Sequence, residues 1–268
     1  MTSFADPPRL PAIDLSLFDV GDPWRDHVAA QVDWAAAEFG FFQLVGHGID
    51  AGVSDSLLAL GGRLFAEGES VRLGNSIPEQ LGVRDTVLDF TNALTGLGHK
   101  LMASIGRGLR LGDNYFVDHY TGDAETRFRV FSHPPASRAR SSGVEQSDEG
   151  LLTLQSQDDV GGLQIRHGTA WLDVPYVPGS ILVSVGDALE RLTGGRYRSA
   201  VYRVVNRSAR ARISLQFFFD VRRGVELSPI FSRSPRAAVR GQAQSPVPTR
   251  TAPPLSGSAT RPRASGRG

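Results

Sequence analysis

The apolar pattern of this chain changes period once, near Thr126, and that change decides what it can fold into. Before it, Val28, Val32, Ala35, Ala36 and Phe39 recur at helical spacing within 24–39. Gly40 stands where a helix C-terminus wants a glycine, and Phe41-Phe42-Gln43-Leu44-Val45 reads as a buried strand. A short strand at Ala12-Ile13-Asp14-Leu15 precedes this unit. Further helices are expected over about 53–66, 84–109 and 113–120, with a polar loop over 68–82. After Thr126, short β-branched and aromatic runs alternate with Gly, Pro and Asp turns. They fall at 126–132, 151–155, 163–166, 171–174, 180–185, 199–205 and 212–219. Strands at this spacing form a sandwich or a barrel-like roll. Helices first and strands afterwards give an α+β layout in one domain.

Composition narrows the function classes. None of the 268 residues is a cysteine, which excludes disulfides and thiolate chemistry and suits a reducing compartment. No apolar run approaches the ~20 residues that cross a bilayer, and the first residues lack the order of a signal peptide. A cytoplasmic protein with no membrane partner is expected. The chain carries a net charge of +1, with Lys100 its only lysine. Seven arginines and no acidic residue lie in 229–268, so the rest of the chain is mildly acidic. That balance argues against nucleic acid as the main partner. The Pro-, Ser- and Arg-rich tail has little to bury and is expected to be disordered.

One ordered set of motifs goes further. Asp158-Asp159-Val160-Gly161-Gly162-Leu163-Gln164-Ile165 is followed by Trp171, Val177-Pro178-Gly179-Ser180 and Val185-Gly186-Asp187. Upstream stand Ala37-Glu38-Phe39-Gly40-Phe41-Phe42 and Gly46-His47-Gly48. Downstream stand Leu192-Thr193-Gly194-Gly195-Arg196-Tyr197-Arg198-Ser199 and Arg212-Ile213-Ser214. Together, over roughly 10–225, these resemble the isopenicillin N synthase-like branch of the iron(II)/2-oxoglutarate oxygenases. The resemblance implies a double-stranded β-helix, a jelly-roll or cupin-like core, with N-terminal helices packed on it. It divides the chain into a helical and strand region (1–125), the oxygenase core (126–225) and the tail (226–268). It also implies a small-molecule substrate, oxidised while 2-oxoglutarate and O₂ become succinate and CO₂.

Such proteins hold Fe(II) with a His-x-Asp pair and a distant His, leaving three positions open. 2-Oxoglutarate chelates two of them, and an Arg-x-Ser motif clamps its far carboxylate. At the matching positions this chain keeps Asp148, Arg212 and Ser214. Gln146 and Tyr202 replace the two histidines, and His133 replaces a tyrosine beside the co-substrate. An amide oxygen and a phenol are poor substitutes for imidazole. Relatives also carry several dozen residues between the second and third helices, which form one wall of the substrate pocket, and they end in a structured closing segment.

Three readings follow. The chain is a member degenerate in iron binding, either a catalytically dead remnant or a binding protein that still holds 2-oxoglutarate. Alternatively, it is an active oxygenase with a metal site rebuilt from Asp148, His133 and Tyr202, or a metal-free enzyme using Tyr202 or His133 in the same pocket. The remaining candidates have structural explanations. His47 supports the turn after a core strand; His27, His99, His119 and His167 lack a partner pattern. Asp158-Asp159 reads as a turn, the Glu145/Asp148/Glu149 cluster flanks the altered metal site, and Gly194-Gly195 reads as a hairpin turn.

Overall fold

A computed structural model of the chain describes residues 9–66, 83–135 and 143–231. The loop expected over 68–82 and all of the tail beyond Phe231 lie outside these residues.

Strand β1 (Ala12–Asp14) leads through one 3₁₀ turn into helix α1 (Asp22–Glu38), which starts with Pro23 in its first turn. The helix ends as expected. Phe39 and Gly40 both return their N–H groups to the Ala35 carbonyl, and Gly40 takes φ +66°. Any side chain there would strike the Arg198 carbonyl, so glycine alone permits the turn into β2 (Phe41–Val45). Helices α2 (Ala51–Ala66) and α3 (Arg84–Gly108) follow. The helix expected over 113–120 is instead a short helical stretch ending in a wide π-type turn at Val117–Thr121.

All seven expected strand regions are present, with shifted ends. They are β3 (Glu125–His133), β4 (Leu152–Gln157), β5 (Leu163–His167), β6 (Ala170–Asp173), β7 (Ile181–Val185), β8 (Tyr202–Val204) and β9 (Arg212–Asp220). A six-stranded sheet runs β1-β2-β7-β4-β9-β3, antiparallel except for the β1/β2 pair, and a smaller sheet runs β6-β5-β8. Gln146 joins the edge of the small sheet through a two-bond bridge to Tyr202.

The two faces of the large sheet differ because strand side chains alternate. Phe42 and Leu44, Phe128 and Val130, Leu152 and Leu154, Ile181, Val183 and Val185, and Ile213, Leu215, Phe217 and Phe219 share the main core with the helices. The residues between them point the other way. Phe41 and Leu182 meet Leu163, Ile165 and Tyr202 in a second, smaller apolar cluster. Arg212, Ser214, Gln216, Gln155, Gln157 and Ser184 share that alternate parity and are also buried.

Two sequence expectations need correction. Gly194 and Gly195 do not turn a hairpin; they end helix α4 (Asp187–Leu192), returning their N–H groups to the Arg191 and Glu190 carbonyls. The apolar packing also extends past residue 225. Leu227, Ile230 and Phe231 pack against the main core, and the Ile230 N–H bonds the Leu192 carbonyl at 2.8 Å. Among the described residues, no helix is long and apolar enough to cross a membrane.

A close helix-to-sheet approach occurs at Gly98, where an added Cβ would lie 2.6 Å from the buried Phe219 ring. Gly98→Ala should therefore destabilise the fold by about 1–3 kcal/mol despite alanine's better helix propensity. Urea unfolding of the variant would measure this; an unchanged midpoint would mean that α3 rides further from the sheet.

Candidate functional site

The register of three strands builds one end of the site. His133 on β3 stands opposite Arg212 on β9, and Ser214 stands opposite Gln157 on β4. Gln155 and Gln216 face each other one step along, with the Gln216 amide donating to the Gln155 oxygen at 3.0 Å. Arg212 is wholly buried, and its Nη2 donates to Gln157 Oε1 at 2.7 Å. Its Nε and Nη1 find no partner among the described residues. Neither do Ser214 Oγ, His133 Nδ1, Gln157 Nε2 or Gln155 Nε2.

Unpaired buried polar atoms are rare because each costs about 1–3 kcal/mol, and more when charged. Six of them on three neighbouring strands form a polar cradle suited to an anion with several acceptor oxygens. Burial lowers the Arg212 pKa to about 10, against the pull of Asp158 and Tyr202, so the guanidinium stays charged at neutral pH. Burial and then the Arg212 charge lower His133 to about 4, so its imidazole is neutral there. These residues fit the far carboxylate of 2-oxoglutarate.

The other end is built around Asp148. Its carboxylate is buried and accepts two hydrogen bonds, from Tyr202 Oη at 2.8 Å and from Ser184 Oγ at 2.7 Å. Burial, and then the Asp148 charge, push the Tyr202 phenol well above its usual ionisation range. Tyr202 is thus a neutral donor. Gln146 is bound to Tyr202 through the backbone, and its side chain is exposed. This set does not match a facial iron triad. Two imidazoles are absent, and both oxygens of the one carboxylate already accept hydrogen bonds. No cluster of three or more His, Cys, Asp or Glu side chains able to hold a metal occurs among the described residues.

Of the residues singled out from the sequence, the structure brings together Arg212, Ser214 and His133 at one end, and Asp148, Tyr202 and the Gln146 backbone at the other. Tyr202 and Asp148 are in contact, while the β3/β9 register places His133 opposite Arg212. His47 braces a turn as expected, donating from Nε2 to the Gly179 carbonyl and accepting the Ile49 N–H at Nδ1. Asp158 caps a turn by accepting the N–H groups of Val160 and Ile213. His167 is structural too, stacked on Phe39 and within 3.2 Å of Glu38.

Sequence reasoning missed Ser184, Gln155 and Gln157. The signal was present: polar residues at alternate positions of runs otherwise rich in Leu and Val mark a strand whose second face is buried yet polar.

Residues 124–221 match the profile of the 2OG-Fe(II) oxygenase superfamily, and 10–91 match that of the non-haem dioxygenase N-terminal region in morphine synthesis. A Dictyostelium discoideum protein named as a probable iron/ascorbate oxidoreductase is 29% identical, with 79% of this chain and 81% of that protein aligned. That alignment runs over 294 positions, longer than this 268-residue chain, so the relative has segments with no counterpart here. A full-length Neurospora crassa protein solved in complex with alpha-KG has a TM-score of 0.75 at 21% identity, covering 84% of this chain and 89% of that one. JOX2 in complex with 2OG, Fe and JA has a TM-score of 0.71 at 23% identity, covering 86% and 83%. The fold is the double-stranded β-helix of these oxygenases, and the chain belongs to the 2OG-Fe(II) oxygenase superfamily.

Proposed function

We propose that this chain is an oxygenase-family protein that retains the co-substrate anion cradle and is impaired in iron binding, so that ordinary oxygenase turnover is lost. One observation carries the reading: Tyr202 and Ser184 satisfy both oxygens of Asp148, the only family metal ligand left. A metal would have to displace the phenol and then find two imidazoles that are not there. Altering even an outer-shell partner typically costs about 10–100-fold in metal affinity, so losing two direct ligands costs about 100-fold or more. The unmatched donors around Arg212 support retention of the anion site.

A small organic ligand is proposed, in keeping with the Neurospora crassa neighbour, which has also been solved with thymine. No nucleic-acid or membrane partner is proposed. The absence of cysteine is consistent with a cytoplasmic setting.

Anaerobic titration of the purified protein with Fe(II) and 2-oxoglutarate tests the iron reading. The folded protein should retain no stoichiometric iron and develop no saturable charge-transfer band. A saturable band would overturn the proposal and favour an active oxygenase with a rebuilt site. Restoring both ligands in Gln146→His/Tyr202→His should raise Fe(II) affinity about 100-fold or more. Failure of that variant to bind iron would locate the defect in the surrounding wall rather than in the ligands.

The buried neutral His133 adds a pH signature. Its folded pKa of about 4 lies below the unfolded value of 6.5. Between these values the unfolded chain binds more protons, so this contribution to stability is complete above about pH 6.5 and lost as pH falls towards 4. At about 1.4 kcal/mol per pH unit, the loss reaches up to about 3 kcal/mol. Urea unfolding at pH 7.5 and 4.5 should show a smaller pH-dependent loss in His133→Gln than in the parent chain. Equal losses would assign the acid sensitivity to other groups.

A further inference from the structure

The cradle around Arg212 is complete without a metal, but the far end of the pocket is not. Among the described residues, Arg212 is the only buried lysine or arginine. Its electrostatic neighbours are Asp158 and Tyr202, and Tyr202 in turn holds Asp148. Around Arg212 one buried positive charge thus stands against two carboxylates, with His133 neutral beside it. In a metal-bound relative, two positive charges on iron would offset that balance and read the 2-oxo acid end of the co-substrate by chelation. Here nothing supplies those charges. The hydroxyls of Tyr202 and Ser184 are also committed, each donating its one proton to Asp148. A second carboxylate reaching this end would meet a like charge and no free donor. Tyr202 packs instead in a buried apolar cluster with Phe41, Leu163, Ile165 and Leu182, surroundings that favour hydrocarbon over a second charge.

We infer that the Arg212 cradle is a metal-independent receptor for a single carboxylate group, selecting short aliphatic monocarboxylates over dicarboxylates and leaving a 2-oxo group unread. The inference rests on the reading that iron is not held at Asp148. The ligand's carboxylate takes the open Nε and Nη1 of Arg212 with Ser214 Oγ, and its alkyl chain lies towards the apolar cluster. The selectivity comes from Asp148, which turns from a metal ligand into a negative wall.

Calorimetric titration of the full chain in EDTA with butyrate, glutarate and 2-oxoglutarate tests this. Butyrate should bind at least about tenfold more tightly than either dicarboxylate, with glutarate and 2-oxoglutarate within about threefold of each other. Asp148→Asn removes the like charge and should narrow the gap between butyrate and glutarate about tenfold. Arg212→Gln should abolish binding of all three. Should that variant not fold, Ser214→Ala should weaken all three by a similar factor. Binding of 2-oxoglutarate as tight as that of butyrate in EDTA, or no carboxylate binding by folded protein, overturns the inference. The same titration with anaerobic Fe(II) separates the two claims. Tightening of 2-oxoglutarate there, with a chelate band, overturns the iron reading, while the EDTA series still decides the receptor.

Discussion

Both faces of the large sheet are buried, and the structure depends on that constraint. A strand puts alternate side chains on opposite faces, so each strand here must supply two buried faces of different chemistry. On β9, Ile213, Leu215, Phe217 and Phe219 pack with the helices, while Arg212, Ser214 and Gln216 are buried on the alternate face. A one-residue slip would drive a guanidinium into the helix interface and phenylalanines into the polar interior. Register is therefore strongly specified, and with it the placement of His133 opposite Arg212 and of Gln157 opposite Ser214. The anion cradle is a by-product of the same alternation that builds the core.

Charge balance then separates the two ends of the pocket. Burying a guanidinium without a full set of acceptors costs several kcal/mol, and among the described residues Arg212 finds one side-chain acceptor, Gln157. At the opposite end the buried carboxylate of Asp148 carries no comparable deficit, since two hydroxyls serve it. Among the described residues, Arg212 keeps unmatched donors, whereas both oxygens of Asp148 are served.

Much of the scaffold was legible because it rests on local rules. Period-two runs marked all seven later strands, and Gly40 marked the end of α1. The motif around Arg212 and Ser214 pointed to an anion clamp. What escaped was set by partners distant in sequence. Ser184 looks like any small residue in Ile-Leu-Val-Ser-Val, and only folding shows its hydroxyl on Asp148, 36 residues away. Gln157 becomes informative only once β4 lies beside β9. Gly194-Gly195 was misread because glycines in the left-handed region close helices as readily as hairpins.

The unequal fate of the two ends follows from what lies behind each. Arg212, Ser214, Gln157 and His133 sit on strands whose opposite faces hold the main core, so a change that disturbs their backbone also disturbs packing against α2 and α3. Tyr202 and Gln146 lie instead at the edge of the three-stranded sheet. That sheet backs onto the smaller apolar cluster, and Gln146 is exposed. At the exposed Gln146 a substitution costs the fold little, whereas Tyr202 is buried in that cluster. The phenol at position 202 gives the buried Asp148 a hydrogen-bond donor. The proposed loss of iron would therefore not require losing the barrel, because the strands that carry Arg212 and Ser214 stay fixed by the main core on their other face.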